Sequence, residues 1–276
     1  MNSFKQQCIA LRKKDKTLIE IMAVTGRSKS SVYTHIKDIP LSQKKQERIS
    51  ERSRKQARAN AGARKGKSLR PFIPFDAWTP ELILLISHLM FDGEILKKKC
   101  YYNNRSKVLI ERVEKIMHEI YDFSPKIFMD KVSGVYKIRY YNVALGNFLY
   151  TKAIELQEDI VRLHKNCQRE FIRAFFDDEG CMDYRPLRNL RQVRGYQNDR
   201  EILKLIQELL QNFDIDSKLQ GVNEVVINGK ENLKRFQKEI NFSKGVCPNP
   251  NRTNTSRKQL IEKREILDQA IRSFKT

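Results

Sequence analysis

The sequence predicts an α+β protein built around an internal duplication, with a small all-helical domain in front of it. Three observations carry that prediction. Two apolar helical stretches, residues 81–96 (ELILLISHLMFDGEIL) and 169–184 (REFIRAFFDDEGCMDY), each run into an acid followed by glycine, and Glu179 follows Asp92 by 87 residues. After each stretch the chain repeats one order of helical and extended patterns. Near the N-terminus, two short amphipathic segments flank the turn Thr25-Gly26-Arg27.

Composition bounds the function. With 276 residues, 40% of them apolar, the chain can bury the core of one large domain or two smaller ones. A formal charge of +21 and a pI near 9.8 call for a polyanionic partner, nucleic acid or an acidic membrane surface, and nucleic acid is the favoured choice. No run of about 18 apolar residues is present and the N-terminus lacks an apolar secretory core, so no membrane partner and a cytoplasmic location are expected. The five cysteines are scattered and never spaced C-x-x-C, which reads as reduced thiols; the four histidines are equally dispersed, which argues against structural zinc.

Taken in order, residues 4–13 and 18–24 have helical patterns, and a third helix follows Ser28, a natural N-cap. Leu18, Met22, Val32 and Ile36 are expected to form the small core of this domain, residues 1–40. The arrangement is similar to the helix-turn-helix domains of prokaryotic regulators and recombinases. That resemblance places Lys29, Ser30, Tyr33, Thr34 and Lys37 toward the DNA major groove or its phosphates. A helical pair used for protein contacts is the plainer alternative. Residues 41–70 carry eleven Lys or Arg against two Glu and almost no large apolar side chains, so residues 41–72 read as a linker, helical as far as Ala59. It can lie along phosphates or act as a solvated tether.

The duplicated domain is expected over residues 73–276, with repeat one at about 75–165 and repeat two at about 166–276. Thr79 and Pro80 supply an N-cap and first-turn proline. Extended sequence at 94–102 leads to a helix at 106–121, strands at 126–131 and 135–141, and a helix at 143–154. In the second strand Lys137, Arg139 and Tyr141 alternate with Tyr136, Ile138 and Tyr140, giving one basic and one apolar face. Repeat two offers an extended stretch with Arg185, Arg188, Arg191 and Arg194, then a helix at 199–213, strands at 216–220 and 223–227, and a helix at 230–240. A final helix is expected at 256–274. The glycines after the acids read first as helix C-caps able to take positive φ. The acids occupy the negative helix ends, each at a cost of roughly 0.3–1 kcal/mol, which suggests a compensating cation.

With the duplication in view, Leu85-Ile86-Ser87-His88-Leu89-Met90-Phe91-Asp92-Gly93 and Ile172-Arg173-Ala174-Phe175-Phe176-Asp177-Asp178-Glu179-Gly180 resemble the paired motifs of the single-chain LAGLIDADG homing endonucleases. The resemblance covers residues 75–274. It implies two αββαββα repeats about a pseudo-twofold axis, with the motif helices side by side and Ser87 and Ala174 as the small residues that let them approach. It implies Asp92 and Glu179 as catalytic, metal-binding acids for Mg²⁺ or Mn²⁺, double-stranded DNA as substrate and partner, and a monomer with no small-molecule substrate. Lys244 matches a basic residue that supports the reaction; in repeat one the aligned position falls near Asp159, between Lys152 and Lys165. Asp177 and Asp178 read first as helix-end or interface groups, with metal ligation the lesser alternative, and His88 as a hydrogen-bonded interface residue rather than a base. Lys137, Arg139, Tyr141, Arg188, Arg191 and Arg194 are the strand-side DNA contacts expected. The alternative function is a non-cleaving DNA-binding transcriptional regulator; an RNA maturase ranks below both because a helix-turn-helix reads duplex DNA.

Overall fold

The computed structural model describes residues 4–64, 72–97, 99–248 and 261–274. The chain divides into two compact units, Met1–Ser68 and Leu69–Thr276.

In the first unit, α1 (Phe4–Lys13), α2 (Leu18–Thr25) and α3 (Lys29–Ile36) close on Cys8, Ile21, Val32 and Ile36, all buried. Leu18 and Met22, expected at the centre, pack around its edge instead. The face of α2 turned toward Cys8 of α1 and Val32 and Ile36 of α3 is the one that carries Ile21, the residue of the short helix that is fully buried. Thr17 and Glu20 form a reciprocal capping box at its start, Glu20 N to Thr17 Oγ1 at 3.2 Å and Thr17 N to Glu20 Oε2 at 2.7 Å. Gly26 ends α2 at φ +66°, and Ser28 caps α3 as expected. α4 (Gln43–Arg64) runs five residues beyond the predicted end at Ala59. Its Lys, Arg, Gln, Glu and Ala residues are strong helix formers, and it is almost wholly exposed between 43 and 60. Ser42 fixes its beginning by donating to Asp15 through both its amide (2.7 Å) and its hydroxyl (2.5 Å).

In the second unit the two halves have one topology. Repeat one is α5 (Pro80–Phe91), β1 (Gly93–Leu96), β2 (Lys99–Asn104), α6 (Lys107–Tyr121), β3 (Ile127–Met129), β4 (Tyr136–Tyr140) and α7 (Val143–Asp159). Repeat two is α8 (Lys165–Glu179), β5 (Gly180–Arg185), β6 (Leu190–Tyr196), α9 (Arg200–Gln211), β7 (Lys218–Gln220), β8 (Glu224–Asn228) and α10 (Lys230–Glu239). The antiparallel sheets have the orders β1-β2-β4-β3 and β5-β6-β8-β7. Helix α11 (Lys263–Arg272) follows; the expected helix start at 256–260 lies outside the described residues. Helix α7 continues past the predicted residue 154, and β3 is shorter than predicted.

Helix α5 packs along α8 at the centre of one continuous core, with Ser87 and Ala174 fully buried. Neither glycine after the acids needs positive φ: Gly180 has φ −102°, and the positive-φ glycines do not include Gly93. The requirement is room. A Cβ on Gly93 would lie 2.5 Å from the Leu89 carbonyl oxygen and 2.6 Å from that of Tyr101, and one on Gly180 would lie 2.5 Å from that of Phe176. Each glycine lets a strand leave its helix in close contact with the preceding turn.

Candidate functional site at the paired helix ends

Asp92 immediately follows α5 and Glu179 is the last residue of α8, so the packed helices carry both acids at corresponding ends. Asp92 Oδ2 accepts a 2.6 Å hydrogen bond from Asn104 Nδ2, at the end of β2. The same amide nitrogen lies 3.2 Å from Asp178 Oδ1, while Asn104 Oδ1 accepts from the Ser106 amide at the start of α6. Asp178 Oδ1 also accepts from the Tyr102 hydroxyl at 2.6 Å, and its Oδ2 lies 2.8 Å from His88 Nδ1. Burial, reinforced by the Asp178 charge, pushes the Tyr102 phenol well above its ordinary range, so it remains a donor. One polar network thus joins Asp92, a residue of motif one, to Asp178 in motif two.

Asp177 has a separate role. Its Oδ1 accepts from the Ser243 amide at 2.9 Å and its Oδ2 from Arg112 Nη1 at 3.2 Å, tying α8 to α6 and to the loop after α10. Asp177, Asp178 and His88 are therefore interface groups, as expected from the sequence.

The two sides of the helix pair are chemically unlike. By motif register Phe175 corresponds to His88 and Asp178 to Phe91, and by strand register Gly195 corresponds to Tyr102. Where His88 meets Asp178 on one side, Phe91 meets Phe175 on the other, ring centroids 5.3 Å apart. Gly195 leaves the space that Phe175 fills.

The basic group held against this site is Lys263, the first residue of α11, which sequence reasoning missed. It is 5% exposed, and its Nζ donates to the carbonyls of Asp177 (2.6 Å) and Phe176 (3.2 Å). Burial lowers the ammonium pKa; the charges of Asp177, Cys181, Asp178 and Asp92 pull it back up. A cation capping the α8 carbonyls supplies part of the compensation that the acids require. Lys244 instead is exposed, on a pocket with Arg112, Arg173 and Arg264. Around the aligned position in repeat one, Lys152 pairs with Glu155 and Asp159 accepts from the Trp78 indole, while Lys165, the first residue of α8, lies over the Phe213 ring.

The strand residues divide. Arg139, Tyr141 and Arg188 are exposed, as are Lys29, Ser30, Tyr33, Thr34 and Lys37 in the first unit. Lys137 is paired with Asp130 at 2.9 Å. Arg194 bridges Asp183 and Glu224, and Arg191 donates to the Ser273 hydroxyl and carbonyl and stacks on Phe274. The face of the second sheet is consequently a ladder of both charges. Among the described residues no group of three or more His, Cys, Asp or Glu could enclose a metal ion, and no described helix is long and apolar enough to cross a membrane.

Residues 166–241 match the family model for the LAGLIDADG-like domain. No curated protein matches. A structure of mesophilic variants of the homing endonuclease I-DmoI is similar at 18% identity, with 58% of this chain and 95% of that chain covered and a TM-score of 0.46. I-DmoI in complex with DNA and Mn gives 19%, 58%, 96% and 0.45. Full-length DUF199/WhiA from Thermatoga maritima gives 16% identity, 74% and 63% coverage, and 0.48. At these values the likenesses carry no function across. The family match thus falls on the second repeat, whose first helix ends in Glu179.

Proposed function

We propose that this protein is a site-specific endonuclease of double-stranded DNA, dependent on Mg²⁺ or Mn²⁺. The observation that carries the reading is the pair of carboxylates, Asp92 and Glu179, at the glycine-terminated ends of two helices packed at the centre of a duplicated fold. The donor set suits Mg²⁺, which accepts sites with one or two carboxylates and takes its remaining ligands from water and substrate phosphates. Asp92 and Glu179 would hold it. An ion held there would supply charge neutralisation at the attacked phosphate and a water of lowered pKa. The chain's own groups then have defined tasks: Asn104 holds the Asp92 carboxylate in one orientation, and Lys263 balances the acids while capping α8. Arg139, Tyr141 and Arg188 contact DNA from the strand side, and the helices at 1–40 extend the recognised site. The protein acts as a cytoplasmic monomer whose repeats each serve one strand.

The test is supercoiled DNA carrying a target selected from a random library, incubated with and without Mg²⁺. Loss of cleavage but not binding in Asp92→Asn and Glu179→Gln supports the enzyme; specific binding without nicking in either metal overturns it. A non-cleaving DNA-binding regulator is the second reading. It draws support from Asp92, whose carboxylate is already engaged by Asn104.

A further inference from the structure

Arg112 of α6, Arg173 of α8, Lys244 of the loop after α10 and Arg264 of α11 converge on a pocket of about 270 Å³, completed by Asn241 and Ser243. Four cations brought together from four parts of the chain repel one another, and the acids among them offset only two. Arg112 is bound to Asp177 at 3.2 Å and Arg173 to Glu170 at 2.5 Å; among the described residues neither Lys244 nor Arg264 has an ion pair. The rim is fixed. Arg173 Nε donates to the Ile240 carbonyl, Ser243 N to Asp177, and the Lys263 amide to the Val246 carbonyl, while Gly245 abuts Val108 of α6. A preformed pocket with excess positive charge loses little ordering entropy when an anion enters.

We propose that this pocket is a phosphate-binding site separate from the Asp92 and Glu179 carboxylates. Arginine forks match phosphate oxygens, and Lys244 adds a point charge. The volume lies just below that of ordinary small-molecule sites and suits a phosphate or pyrophosphate rather than a larger ligand. The shared chemistry allows two sources: a backbone phosphate of bound DNA, or a free phosphate compound.

Two readouts on the full-length protein separate them, using Lys244→Ala/Arg264→Ala; both side chains are exposed, so the core is untouched. Pyrophosphate, at ionic strength matched with chloride, should raise the thermal midpoint by a few degrees, and the double variant should lose that rise. The slope of log affinity for duplex DNA against log salt is the second readout. A slope smaller by about 2 in the double variant assigns the site to backbone phosphate, whatever the pyrophosphate response. An unchanged slope with the pyrophosphate rise lost assigns it to a free phosphate. An unchanged slope with the rise absent, or retained in the variant, overturns the proposal. Neither readout depends on cleavage.

Discussion

His88 Nδ1 on α5 lies 2.8 Å from Asp178 Oδ2 on α8, and both side chains are fully buried. The carboxylate is shared three ways, by His88, by the Tyr102 hydroxyl and by the Asn104 amide, before the network reaches Asp92. The helix interface and the acid that ends α5 are thus one hydrogen-bonded unit. A buried pair of this kind is a weak source of net stability, but losing one member leaves the other without compensation.

Asp178→Ala is therefore expected to destabilise the second unit by about 3–5 kcal/mol, measured by urea unfolding followed at its single tryptophan, Trp78. A loss under about 1 kcal/mol would show that the network relaxes around the vacancy.

Asn104→Ala removes the amide that orients Asp92. On the proposed endonuclease reading, Mn²⁺ affinity and cleavage rate should both fall by about tenfold to a hundredfold, the range for a partner of a metal-binding carboxylate, with DNA affinity retained. Unchanged Mn²⁺ binding by calorimetry would make Asn104 a cap of α6 alone.

Lys263→Met tests the buried ammonium through pH. A lysine whose pKa is lowered in the folded state holds its proton more weakly there than in the unfolded chain, so wild-type stability rises with pH between the lowered value and the ordinary 10.5. The variant should lack that rise. Parallel stability curves for the two proteins in this window would contradict the assignment.

Gly180→Ala places a methyl group against the Phe176 carbonyl and ring, a backbone obstruction that rotamer changes cannot relieve. The expected loss is about 1–3 kcal/mol by thermal or chemical unfolding. If positive φ were the reason for glycine here, Asn would be a tolerated substitute; on steric grounds Gly180→Asn is at least as damaging as Ala.

In the first unit, the Thr17 amide and hydroxyl hold the Glu20 carboxyl down at about 2, against an ordinary 4.5. A depressed acid contributes stability that is present above its unfolded value and is lost as pH falls from 4.5 toward 2. Far-ultraviolet circular dichroism should show part of the helical signal melting in that window, and Glu20→Gln should remove that part of the transition.

The features legible in the sequence are those written locally. Thr79-Pro80 and Ser28 announce helix starts, the apolar periods of α5, α6 and α9 announce their buried faces, and the repeated acid-glycine ends announce the duplication. What escaped depends on residues distant in the chain. Lys263 stands 84 residues beyond Glu179 and looks like an ordinary lysine at a helix start until α11 packs it against α8. Asn104 gives no sign of its role, because its partners Asp92 and Asp178 meet only when the strands and helices have assembled. The arginines of the second sheet looked free because Ser273 and Glu224, which hold Arg191 and Arg194, are tens of residues away.

The exchange of His88, Phe91 and Tyr102 in one half for Phe175, Asp178 and Gly195 in the other makes each half complementary to the other rather than to itself. A pair of second halves would set each Asp178 against a phenylalanine, burying two carboxylates with no histidine to receive them. A pair of first halves would set each His88 against Phe91. The buried surface between α5 and α8 therefore favours the pairing of unlike halves over the pairing of like ones.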